Sequence, residues 1–171
     1  RDIPVPGGRV AFEPGKKLAS ADIRVAELTS DMNGVHVRSQ TLRLYREAES
    51  LRIEESFKIE LTGAEIAYVA KRERSRKAPG LRATLPAAAS DFVMPLGVIP
   101  EGLERAGAAQ RYFGPFYPGM QELSWSYRLK GGETTADGVR YRFEVTPAAD
   151  VETFSVLVPN GPGAFDAPGV A

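Results

Sequence analysis

The chain of 171 residues has no cysteine, so no disulfide, CxxC redox pair or thiolate metal site can be built from it. It has a single histidine, His36. A catalytic triad or a histidine-rich zinc site needs more around that residue than the sequence supplies, and its place between Val35 and Val37 puts His36 on the polar side of a strand. Charge of one sign is also lacking. Twenty-two basic residues balance 22 acidic ones, which removes the positive field that sequence-independent nucleic-acid binding requires. No apolar run approaches the roughly 20 residues of a membrane-spanning helix, and Arg1 to Pro6 does not read as a secretory signal. GxSxG, HExxH, P-loop and GxGxxG patterns are all missing, and with them the reaction classes that they serve.

What is present is alternation. In Gln121 to Leu129 the apolar residues Leu123, Trp125, Tyr127 and Leu129 fall at every second position, the signature of a half-buried strand. Leu51, Ile53, Phe57, Ile59 and Leu61 repeat it, as do Val139, Tyr141, Phe143 and Val145, and then Phe154, Val156 and Val158. Seventeen glycines and 13 prolines punctuate these runs, as expected of strands joined by turns. A hydrophobic content of 43% is enough for a sizeable core. The pattern predicts an all-β, antiparallel β-sandwich of about nine to eleven strands. Residues 1–17 read as an extended N-terminal arm or turn, 18–160 as one sandwich domain and 161–171 as a flexible tail.

Several local features carry more specific expectations. Asn33-Gly34 suits a tight hairpin between a strand over Asp22 to Leu28 and a return strand beginning at Val35. Apolar parity then switches from Val35 and Val37 to Leu42 and Leu44, which requires a bulge or bend near Ser39 and Gln40. Phe92 to Val98 looks strand-like, and Pro100 could open a short helix running through Leu103 and Arg105. In the strand from Leu51 to Leu61, alternation aims Glu55 into the core, where a lone charge is costly. It therefore calls for a charged partner, a bulge or a cavity; a catalytic acid is the weaker reading.

Two groups of residues are candidate contact sites, and neither implies a cofactor or a metal. Tyr112, Phe113, Phe116 and Tyr117 lie on a turn-rich stretch, where they either present a recognition surface or plug one end of the sandwich. Arg72, Arg74 and Arg76, spaced by two, would share one face of a strand and meet an anion or an acidic partner; alternatively they solvate an edge.

Phe116-Tyr117-Pro118-Gly119 followed by the Leu123 to Leu129 alternation, the run from Val151 to Pro159, and the glutamate-bearing strand Ser50 to Leu61 together resemble the immunoglobulin-like accessory domains of bacterial secreted and envelope proteins. The resemblance implies a non-catalytic, extracytoplasmic module (periplasmic, secreted or on the cell surface) that binds a protein of an envelope assembly. Self-assembly by strand addition through the arm or the tail is one form of this. A polysaccharide-binding module using the loop aromatics is the alternative, and a carboxylate-dependent hydrolase the weaker one.

Overall fold

A computed structural model describes residues 2–5, 8–11, 27–75, 77–94, 100–136 and 138–158. In chain order its strands are β1 (Asp2–Val5), β2 (Gly8–Ala11), β3 (Leu28–Thr29), β4 (Val35–Arg46), β5 (Ser50–Leu61), β6 (Ile66–Ala67) and β7 (Leu81–Thr84). There follow β8 (Ala89–Val93), β9 (Leu103–Ala106), β10 (Ala109–Tyr112), β11 (Gly119–Lys130), β12 (Glu133–Thr135), β13 (Gly138–Arg140) and β14 (Thr153–Leu157). The described residues are all-β, with two 3₁₀ turns at Lys71–Glu73 and Pro100–Gly102.

Three long strands, β4, β5 and β11, form the middle of a five-stranded sheet ordered β14-β4-β5-β11-β8. Each is the alternating segment that the sequence marks, and burial follows the pattern: Ile53, Phe57 and Ile59 on β5 and Trp125 and Tyr127 on β11 are at most 1% exposed. A second sheet, β7-β10-β9, adds Leu81, Ala83 and Tyr112 to the same hydrophobic core. Smaller two-stranded pairs are β1-β2, β12-β13 and β3-β6.

The parity switch in β4 is a register irregularity between Val37 and Ser39 in the pairing with β5. It lets Val37 face the core before the bulge and Gln40, Leu42 and Leu44 face it after. One extra residue on one strand is what a change from odd to even inward positions demands.

Other expectations are corrected. Asn33-Gly34 does turn, with Val35 N–H donating to the Met32 carbonyl at 3.0 Å. The turn joins no hairpin, because β3 pairs in parallel with β6 while β4 pairs with β5. β14 is likewise parallel to β4, so the main sheet is mixed rather than antiparallel. Where an extended arm was expected, Asp2–Val5 pairs antiparallel with Gly8–Ala11. After Pro100 a single 3₁₀ turn gives way to strand β9, where a helix was expected. From Tyr141 to Val145 side-chain burial still alternates, yet only Gly138–Arg140 joins a ladder. Alternation there records one sheltered face, not a paired strand. Residues 22–26 of the strand expected over Asp22 to Leu28, the end of that over Phe92 to Val98, residues 12–17 of the arm and the tail 161–171 lie outside the described residues. Among the described residues no helix is long and apolar enough to cross a membrane.

Candidate functional site: a buried carboxyl and a polar sheet face

The aromatic stretch is, for the most part, core. Tyr112 is 5% exposed, Phe113 and Phe116 are fully buried, and Tyr117 alone reaches the surface. Tyr112 and Phe116 pack edge to face with centroids 5.3 Å apart. Burial, followed by the proximity of Tyr117 and Tyr68, pushes the Tyr112 phenol up to about 12. Glycine is required at position 114: its φ is +93°, and a Cβ there would stand 2.4 Å from the Ala67 carbonyl oxygen. That close approach lets Ala67 and Phe116 bond through their backbones at 2.9 and 3.0 Å and seals the end of the core.

Among the described residues the basic stretch forms a 3₁₀ turn at Lys71–Glu73 and no strand, and Arg72 and Arg74 do not share a face. Arg72 is exposed beside Glu73, and Arg76 lies outside the described residues. Arg74 points inward with its side chain 3% exposed. Its guanidinium donates to the carbonyls of Val69 (3.0 Å) and Glu101 (2.7 Å), pairs with Glu104 at 3.3 Å, and lies 4.6 Å over the Phe113 ring. On the same ring Arg111 stacks at 4.7 Å. Arg74 thus bolts a loop to the core and presents no charge to a partner.

Glu55 is where alternation places it, 1% exposed between Ile53 and Phe57. No cation meets it. The Trp125 indole N–H donates to Oε2 at 2.6 Å and the Gln40 amide N–H to Oε1 at 2.5 Å. Gln40, itself fully buried, accepts from the Ala148 backbone N–H at 2.7 Å, which fixes the orientation of its amide. Burial raises the affinity of Glu55 for its proton, and the two donated bonds only partly offset this. Beside it the Tyr127 hydroxyl is buried without a partner; burial and then the Glu55 carboxyl push that phenol up. A titratable group with two donors but no counter-ion is a charge-sensitive point in the core.

This arrangement makes stability pH-dependent with a definite sign. The folded chain holds the Glu55 proton more tightly than the unfolded chain, whose carboxyl has the ordinary value of 4.5. Between that pH and the raised folded value the native state binds more protons. Stability contributed by the neutral form is complete below 4.5 and is lost as pH rises through the folded pKa. Trp125, the sole tryptophan, reports it directly. The emission of the native protein should titrate with a midpoint above 4.5; Glu55→Gln should abolish both that titration and the fall in denaturation midpoint with pH. A Glu55→Gln profile identical to wild type would dismiss Glu55 as the titrating group.

Elsewhere carboxylates sit in surface ion pairs. Glu47 takes Arg128 at 2.7 Å and Ser50 at 2.9 Å, and Lys130 lies 2.9 Å from Asp91. These groups line a shallow hollow of about 540 Å³ together with Glu49 and Gly131. The Arg128 and Lys130 contacts hold the Glu47 and Asp91 carboxyls, respectively, below their ordinary values. Arg38 pairs with Glu60 and Glu152, tying β4 to the residue before β14. His36 is exposed opposite Glu60.

The two borders of the main sheet differ. At β8, Asp91 adopts φ +51° and the pairing with β11 shifts register between Ser126 and Arg128. Such irregularity blunts an edge. At β14 the run Thr153–Leu157 contains no proline, charge or break in register, and Leu157 and Val158 are 48% and 47% exposed. Sequence reading missed both the Gln40–Glu55–Trp125 link and this contrast of edges. Gln40 did carry a signal, being a polar residue on the inward parity of Leu42 and Leu44.

No protein-family model matches the chain, and no curated protein matches it either.

Proposed function

We infer that the chain is a non-catalytic binding module of an extracytoplasmic assembly, and that an extended segment of a partner protein adds to its main sheet along β14. The observation that carries this reading is the unguarded β14 edge. Natural sheets protect their borders with charge, proline, bulges or cover, and β8 carries such protection while β14, among the described residues, does not. Backbone pairing supplies affinity in strand addition, and side chains at alternate positions supply selectivity. Leu157 and Val158 offer apolar contacts beside that edge. In this reading the five- and three-stranded sheets are the two layers of an immunoglobulin-like sandwich, supported by the single core to which both contribute. The envelope setting follows from the sequence resemblance. Three of the four loop aromatics are interior, so a glycan-stacking platform built from them has no support from their placement.

The test compares wild type with Leu157→Lys/Val158→Lys, a pair of exposed substitutions, after matching thermal stability. A partner captured from solubilised envelope proteins is purified and bound again in isolation. Wild type should gain hydrogen-exchange protection across Thr153–Leu157, and the double variant should bind at least tenfold more weakly. A complex that leaves those amides unprotected and ignores both substitutions would refute the edge as the contact.

A further inference from the structure

A charged sheet edge resists pairing with its own copy, because a two-fold axis brings equivalent residues together and like charges placed opposite repel. β14 has no such defence. Thr153–Leu157 holds no charged side chain, and among the described residues the strand has a neighbour on one side only, β4. In a parallel pair every second residue turns its N–H and C=O away from that neighbour, so β14 keeps a row of donors and acceptors on its free side.

The strand that suits this row is β14 itself. Pairing with β4 sets Phe154 opposite Gln40 and Val156 opposite Leu42, both of which face the core, and Ser155 opposite Thr41 on the outer face. A two-fold axis at Ser155, the middle of the strand, is the register that pairs all five residues of Thr153–Leu157 with their equivalents in a second copy. Ser155 then meets its own equivalent, Phe154 meets Val156 twice, and Thr153 meets Leu157 twice. On the inner face each pair joins an aromatic to a β-branched side chain, a favourable cross-strand combination. Phe154 and Val156 are only partly buried in the single chain, so both have surface left to cover. On the outer face each pair shelters Leu157, which is 48% exposed. No charge is brought against its like.

We propose that β14 pairs antiparallel with β14 of a second copy about a two-fold axis at Ser155, joining two five-stranded sheets into one of ten strands and guarding the edge until a partner strand displaces it. The guarding role rests on the partner reading above; the dimer itself does not. Five residues a side bury far less than the roughly 1,200 Å² of a stable interface, so the dimer forms and parts with concentration and yields to a partner that adds further contacts.

The test uses the purified chain alone. In sedimentation equilibrium the mass of wild type should rise from monomer toward dimer across the micromolar to sub-millimolar range. Ser155→Lys and Ser155→Glu, each matched to wild type in thermal stability, should stay monomeric by themselves and associate again when mixed in equal amounts. The chain has no cysteine, so single introduced thiols report the register. On oxidation with diamide Ser155→Cys should cross-link into a dimer. Thr153→Cys should cross-link at least tenfold more slowly, because two such residues would lie about 14 Å apart, beyond the reach of a disulfide. Wild type that remains monomeric over the whole range overturns the proposal. So does association that ignores both charges at position 155, or cross-linking that is equal at 153 and 155. A partner complex that leaves β14 untouched would refute the partner reading instead, and these measurements, made without a partner, would stand.

Discussion

Phe113→Ala should lower the free energy of unfolding by about 3 to 5 kcal/mol, the range for deleting a buried phenylalanine. The ring is fully buried, and guanidinium groups stack over it from two directions, Arg74 at 4.6 Å and Arg111 at 4.7 Å. Both lose that contact with the ring. Arg111 keeps its bonds to the Ser75 and Ala78 carbonyls, at 3.0 and 2.6 Å, while its Nε is already buried and unbonded. Main-chain bonds of residue 113 to Val69 and Gly102, at 3.0 and 2.8 Å, survive the change and keep the loop in place. The loss therefore measures packing. Urea denaturation decides the matter against Tyr117→Ala, a surface control whose cost should stay within about 0.5 kcal/mol. Equal, small losses at both positions would mean that the ring is not part of the core.

Gln40→Leu should cost about 3 kcal/mol, although leucine is close in size and suits an apolar surrounding. The change strands two groups at once. Glu55 loses the donor to its Oε1, and the Ala148 N–H loses its acceptor. A buried group left unsatisfied costs roughly 1 to 3 kcal/mol, and more when it is charged. The deficit should also grow with pH, because without the amide donor the ionised form of Glu55 is harder to hold. Amide exchange at Ala148 should accelerate relative to its neighbours. A loss below about 1 kcal/mol, the net worth of a single ordinary hydrogen bond, would mean that water replaces the amide and that the site is not dry.

How much of this was legible in the sequence depends on the reach of the interaction. β4, β5 and β11 announce themselves because one side of each is buried over many residues, and a period of two is the direct trace of that. The bulge near Ser39 was legible by the same logic. Glu55 was legible as an interior carboxyl, but its partners were not, because Gln40 and Trp125 meet it, and Ala148 meets Gln40, through pairings that span 15 to 108 residues. The cost of a lone buried charge called for a charged partner, a bulge or a cavity, yet two neutral donors meet the carboxyl. Arg74 shows the converse: spacing by two in a charged run proposed an exposed strand, whereas the free carbonyls of Val69 and Glu101 drew that arginine inward. Parallel pairing of β14 left no trace in its five residues. Direction is a property of the connection, and alternation is blind to it.

The parallel placement of β14 also has a kinetic meaning. Arg38 and Glu152, which fasten it to β4, are 114 residues apart, and bringing such distant segments together is slow. During synthesis β4 and β5 can pair soon after they emerge, but the outer flank of β4 stays open until some hundred further residues have been added. For that interval the nascent chain displays an unpaired border of its longest sheet. A chain that is kept unfolded until it is whole, or shielded by a chaperone, avoids the mispairing that this border invites.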